Sequence, residues 1–335
     1  MNTRSRKVIQ FLQRLLLGIT ALVFLLGITG VVYQTAATEA DRRNFPPPGN
    51  LIDVGGFKMH IHCEGEGSPT VILEAMSGGV SAQWGWIQPE IQKVTRVCAY
   101  DRAGFGWSEP DPETPTLART VRNLHALLVN ANIPGPYVMV GHSLGGVYVR
   151  QFAQEYPDEV AGVVLVDEAH PQQFVKYPEL FDESNRFVQL SNGIQFAMRV
   201  GLGHLYFALG GEMDFSGLPE PQRSQFEAIW SSPEYFQAQT AEILAGRSIW
   251  ADALNLKGLG DKPLLVLSRG VNLDHEWVEY ENDLTKLSTN SHLITVEGAN
   301  HGALVFNQEY ARVVSDAALQ MVDAVRGGTR LAAQP

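Results

Sequence analysis

The segment 137–150, YVMVGHSLGGVYVR, constrains the fold more than any other stretch of the chain. An apolar run of strand character passes into Gly141-His142-Ser143-Leu144-Gly145 and then into a helical pattern. A serine on so tight a strand-to-helix turn takes a strained backbone conformation, and the flanking glycines are required because side chains there would collide with the strand and the helix. The turn lifts the Ser143 hydroxyl above a sheet, with a helix N-terminus behind it. A glycine-rich turn that merely contains serine is the competing reading, and the strand before it and the helix after it weigh against that.

Strand-like runs recur on both sides of this turn: LIDV, FKMHIHC, TVILEA, VTRVCAYD, AGVVLVD, PLLVLSRG and HLITVEG. Several are continuously apolar, the pattern of strands covered on both faces, and helical stretches such as Leu117–Asn130 and 309–326 lie between them. Alternating β and α predicts a mainly parallel sheet with right-handed crossovers. The interval 171–262 breaks the rhythm with helix-like periodicity and scattered aromatics, and reads as a helical insertion. The core is thus expected over 51–170 and 263–326, with a flexible tail at 327–335.

The N-terminus obeys a different logic. Arg4, Arg6, Lys7 and Arg14 make a basic stretch over 1–14, and 15–33 is an uncharged run of 19 residues. At about 1.5 Å of rise per residue, a helix of that length approaches the roughly 30 Å of a bilayer's hydrocarbon, whereas a cleaved signal peptide has an apolar region of about 7 to 15 residues. The reading is a transmembrane signal anchor in the cytoplasmic membrane, with the basic end inside and the rest of the chain outside. The alternative is secretion after cleavage near Ala36 and Ala37. Residues 34–50, polar and then proline-rich, read as a linker.

The rest of the composition narrows the partners. A formal net charge of −11 with no cluster of Lys and Arg beyond the first fifteen residues argues against a nucleic-acid partner. The two cysteines, Cys63 and Cys98, are too few for a four-cysteine metal site or a disulfide scaffold. His60 and His62 share a face of one strand, but no third ligand completes a metal site, and packing is the better reading. Gly104 and Gly106 lack the third glycine and the helix of a dinucleotide site.

A serine hydroxyl is a weak nucleophile and needs a base. Of nine histidines, His301 stands out, in a glycine-flanked loop after the last strand run, late in the chain. His142, next to the serine in sequence, is expected to point away from it. His275 and His292 read as ordinary loop and strand-start residues. Two aspartates compete to orient the base: Asp167 at the end of GVVLVD, where the sheet fixes its position, and Asp274 in SRGVNLDHEW, 27 residues before His301. Strand geometry favours Asp167, with Asp274 the alternative.

The elbow, the late histidine, the strand order and the segment YDRAGFGWSEP at 100–110 resemble the α/β-hydrolase superfamily, in its lidded serine hydrolase and esterase branch. The resemblance runs over about 51–326. It implies an eight-stranded, mostly parallel sheet with the insertion as a helical lid, and a structural part for Asp101 and Arg102 beside the active site. It places the oxyanion hole at the backbone amides of Leu144 and Ser77, although the His-Gly usual before the latter is here Ala75-Met76. Asp274 matches the commoner position of the third triad member in such proteins and Asp167 the rarer one. Relatives that open epoxides or carbon–halogen bonds use aspartate in the elbow, so Ser143 implies acyl transfer on an ester or similar small molecule, with no cofactor and no metal. The lid aromatics Phe181, Phe187, Phe196, Tyr206, Phe207, Phe215, Phe226, Trp230, Tyr235 and Phe236 suggest an apolar substrate part, though most serve the lid's own core. A C–C bond hydrolase or cofactor-free haloperoxidase on the same triad, and a non-catalytic binding protein of the same fold, are the alternatives. The strand order of the resemblance also brings Cys63 and Cys98 onto adjacent strands, where a disulfide is expected in an oxidising compartment.

Overall fold

The structure, a computed structural model, describes residues 3–273 and 275–331. An unbroken run of apolar helix formers with no proline makes one helix, α1 (Thr3–Asn44), which is exposed along its apolar part, where mean hydropathy reaches 2.6. Such a helix is long and apolar enough to cross a membrane. It does not stop at Tyr33. The stretch expected as linker begins as eleven more helical residues, and the helix ends only before Pro46-Pro47-Pro48, where proline removes the donors a helix needs. Ala36, Ala37, Glu39 and Ala40 favour the continuation, and Gln34 and Asp41 are held by contacts with the insertion, described below.

The strand runs become β1 (Asn50–Asp53), β2 (Lys58–Glu64), β3 (Thr70–Glu74), β4 (Val97–Tyr100), β5 (Tyr137–His142), β6 (Val160–Val166), β7 (Leu264–Arg269) and β8 (Ser291–Val296). They form one sheet in the order β1-β2-β4-β3-β5-β6-β7-β8, antiparallel where β2 pairs with β1 and β4 and parallel elsewhere. Helix α2 (Gln88–Ile91) follows β3, α3 (Leu117–Asn130) precedes β5, and α4 (Leu144–Glu155) follows it. The insertion holds α5 (Pro171–Lys176), α6 (Glu179–Arg199), α7 (Leu202–Ala208), α8 (Gln222–Trp230) and α9 (Pro233–Ala253). After it come α10 (His275–Thr285), α11 (Ala303–Phe306) and α12 (Gln308–Gly327).

β3, β4 and β5 are buried at every residue, which is why their sequences show no polar alternation. Side chains still alternate in direction. Val71, Leu73, Val138 and Val140 share one buried cluster with Val314, Ala318 and Met321 of α12, whereas Ile72 and Met139 share another with Leu124 and Leu127 of α3 and Phe152 of α4. Each such aliphatic side chain contributes about 1.5–3 kcal/mol by leaving water. On the antiparallel side Cys63 lies directly opposite Cys98, their Cα atoms 4.0 Å apart, and the two form a disulfide.

Candidate active site

The parallel strands end together, and the candidate residues gather at their carboxyl ends. Ser143 occupies the single residue between β5 and α4 with φ 57° and ψ −124°, a conformation costing a non-glycine residue about 1–3 kcal/mol. Its amide donates to the Val166 carbonyl at 3.0 Å, locking the turn to β6. The glycines are steric requirements. A Cβ on Gly141 would stand 2.5 Å from the Gly145 oxygen, and one on Gly145 would stand 2.5 Å from the Glu74 oxygen and 2.7 Å from that of Ala75. The start of α4 is therefore pressed against the end of β3, which brings the Leu144 amide, at a helix N-terminus, beside the loop that holds Ser77.

Asp167 follows β6, fully buried, with φ 46° and its amide donating to the Leu267 carbonyl at 2.6 Å. Its Oδ2 lies 2.5 Å from His301 Nδ1, which donates because the carboxylate can only accept. Arg269, at the end of β7, donates its backbone amide to Oδ1 and its Nη1 to Oδ2, both at 3.0 Å. Burial alone would raise this carboxyl, but the hydrogen bond and charge of His301, with those of Arg269, outweigh it and hold Asp167 below the usual carboxylate range. His301 sits in the loop between β8 and α11 and is half-buried, as is Ser143. The structure thus brings Asp167 onto the histidine. Asp274 lies outside the described residues.

His142 does not point idly away from the serine. It is fully buried, its ring centroid 4.6 Å from that of His301, and its Nε2 donates to the His301 backbone carbonyl at 3.2 Å. Burial, reinforced by the neighbouring His301, depresses it to about 3, so it stays neutral. Sequence reading missed this contact, as it missed Arg269. Adjacency to Ser143 was the only available signal for the first, and nothing in the local sequence pointed to the second.

The Ser77 loop is held from the lid. Glu242 of α9 accepts from Ser77 Oγ at 2.7 Å and from the Gly78 amide at 3.0 Å through the same oxygen. Its other oxygen accepts from Arg102 Nε at 3.0 Å, and Arg102 also donates to Glu74 and to the carbonyls of Ala75 and Met76 at 2.7–2.8 Å. Burial disfavours charge on Arg102, yet Glu242 and Glu74 more than offset it and keep the guanidinium firmly protonated. Asp101 is likewise structural. It accepts from His60 Nδ1 at 2.9 Å and from the amides of Ser81 and Trp107, and a Cβ on Gly106 would collide with it. His62 instead faces Glu64. Among the described residues no group of three or more His, Cys, Asp or Glu side chains is arranged to hold a metal ion.

Most lid aromatics build the lid. Phe215 stacks on Phe226 with centroids 4.3 Å apart, and Tyr235 and Phe236 are buried, whereas Phe196 and Tyr206 face outward. A cavity of about 780 Å³ opens between the end of α1, the loop after β4 and α9. Arg102 and Glu242 line it, and Ser143 and His301 do not.

The profile of the alpha/beta hydrolase fold family matches residues 69–308, and the chain belongs to that family. YbdG of Bacillus subtilis, itself uncharacterized, is 29% identical over 165 residues, 48% of this chain and 50% of that protein. The 2-hydroxymuconate semialdehyde hydrolase of a Pseudomonas species is 32% identical over 130 residues, 38% of this chain and 46% of that protein. The chain spans about half the length of these curated relatives. The solved structure of a thermophilic esterase from Thermogutta terrifontis matches with a TM-score of 0.60 at 22% identity, over 82% of this chain and 97% of that one, a likeness of fold.

Proposed function

We propose that this chain is a serine hydrolase that forms an acyl-enzyme on a carboxylic ester or related carbonyl compound. The observation that carries the reading is the 2.5 Å hydrogen bond from His301 Nδ1 to buried Asp167, in a histidine whose ring neighbours that of the residue preceding Ser143. Ser143 Oγ attacks the carbonyl carbon while His301 Nε2 takes its proton, and Asp167 stabilises the imidazolium. The amides of Leu144 and Ser77 receive the developing oxyanion, each worth about 3 kcal/mol in the transition state. His301 then protonates the leaving alcohol, and the same steps run with water to release the acid. A serine in the elbow, where a carboxylate would be needed to open an epoxide, favours acyl transfer.

A C–C bond hydrolase is the second reading, favoured by the similarity to 2-hydroxymuconate semialdehyde hydrolase. Both readings require Ser143. A fluorophosphonate should label the wild type and leave Ser143→Ala unlabelled, and Ser143→Ala or His301→Ala should each lower kcat on p-nitrophenyl esters by about 10⁴-fold or more. Labelling with turnover of a vinylogous diketone and none of esters selects the C–C reading, and a protein that no fluorophosphonate labels rejects both.

α1 is read as a retained anchor with the hydrolase outside the cytoplasmic membrane. The basic N-terminal flank supports the orientation and the Cys63–Cys98 disulfide the oxidising compartment. Cleavage near Ala37 would strip away Tyr33 and Gln34, which pack on the lid. Recovery of a mature chain beginning near Thr38 would overturn the anchor.

A further inference from the structure

We propose that the outer face of α7 and the adjoining end of α6 seat in the bilayer that α1 crosses, so that the lid works partly immersed in lipid. The inference rests on the reading of α1 as a membrane span.

The lid is locked to α1 at a defined height. A Cβ on Gly30 would stand 2.5 Å from the Val200 oxygen, and one on Gly201 would stand 2.5 Å from the Tyr33 ring, so α1 and the α6–α7 corner cross almost backbone to backbone. Small residues permit that approach. Just beyond, His204 lies edge-on to Tyr33 and binds Gln34 Oε1 at 2.9 Å and Asp41 Oδ2 at 2.7 Å, while Gln34 Nε2 donates to the Ser231 carbonyl at 3.3 Å. Gly30 and Tyr33 are the last turn of the uncharged run 15–33. The corner therefore meets α1 where the hydrocarbon of a bilayer gives way to head groups.

At that height α7 turns an apolar stripe outward. Leu202, Leu205, Tyr206 and Leu209 fall at helical spacing on one face, between 42% and 79% exposed, and Phe196 at the end of α6 is 64% exposed. The opposite face is spoken for: Gly203 is buried, Phe207 packs on the core and His204 binds α1. From Val200 to Gly211 the chain has no Asp, Glu, Lys or Arg. The exposed charges Arg199 and Glu212 stand only at the two ends of this stretch. It is continuous with the exposed apolar surface of α1, and Tyr206 supplies the kind of aromatic that membrane interfaces favour.

The test uses the full chain, reconstituted in phosphatidylcholine vesicles, with a nitroxide attached through Leu22→Cys, Leu205→Cys, Leu209→Cys or Asp323→Cys; the native cysteines are paired and do not react. Collisions with oxygen, which concentrates in lipid, are compared with those of a water-soluble nickel chelate. Labels at 22, 205 and 209 should lose nickel collisions and gain oxygen collisions relative to the label at 323. A label at 22 in lipid with 205 and 209 behaving like 323 leaves the anchor standing and overturns the immersed lid. Loss of both kinds of collision at 205 and 209 signals cover by protein and overturns it as well. A label at 22 exposed to nickel removes the anchor, and the inference falls with it.

Discussion

His301 Nδ1 and Asp167 Oδ2 stand 2.5 Å apart although 134 residues separate them, and Arg269 holds the same carboxylate from the other side. The aspartate at the end of β6 thus meets the histidine directly. Asp167→Asn should lower kcat about 10⁴-fold, because an amide can hold the ring in the wrong tautomer and cannot stabilise its charge. Asp274→Asn should leave kcat near the wild-type value. Steady-state kinetics of the two variants decide between the acids, and a loss confined to Asp274→Asn would move the triad to the other strand.

Glu242→Gln keeps the shape of the α9 side chain and removes its charge. It should lower kcat by about 10²- to 10³-fold with little change in KM, since in the proposed mechanism the Ser77 amide acts only once the oxyanion develops. Glu242→Ala should also destabilise the fold by about 3–5 kcal/mol, by leaving the buried Arg102 with one carboxylate fewer. Wild-type kcat in Glu242→Gln would show that the Ser77 loop holds its place without the lid.

His142 gives the fold a defined acid sensitivity. Its folded pKa is depressed to about 3, whereas an unfolded histidine titrates near 6.5. Between those values only the unfolded state takes up the proton. Stability therefore falls as pH drops from about 6.5 toward 3, by at most about 1.4 kcal/mol per pH unit. Asp167, also depressed, adds a loss in the same direction below its unfolded value of 3.8. The Tm difference between wild type and His142→Gln in detergent should shrink steadily from pH 7 to pH 4.5. A difference constant with pH would mean that His142 takes up its proton equally in the folded and unfolded states.

The disulfide closes a loop of 35 residues. Its reduction should cost about 3–4 kcal/mol on the chain-entropy account, read as a lower denaturant midpoint for Cys98→Ala. Thiol labelling of denatured, unreduced protein should find no free thiol and, after reduction, two.

The candidate-site residues whose positions were legible in the sequence are those tied to covered strands. Ser143 and Asp167 each follow a continuously apolar strand directly, so the sheet dictates where they stand, and strand pairing brought Cys63 opposite Cys98. Glu242, Arg269 and His142 were not legible. Their importance depends on which lid helix crosses which loop and on which ring lies behind which, and such contacts between residues as much as 165 positions apart leave no local pattern. The extension of α1 past Tyr33 was missed for a related reason: the polar stretch after the apolar run is helical by propensity, but tertiary contacts with the lid keep it so.

Glu242 also fixes α9 to the body of the protein. Lifting α9 would withdraw the carboxylate from Ser77 and Gly78, strand Arg102, and strip Ala245 and Ile249 from Leu144 and Val147 of α4. α9 is thereby part of the frame that holds the Ser77 loop and the start of α4 in place.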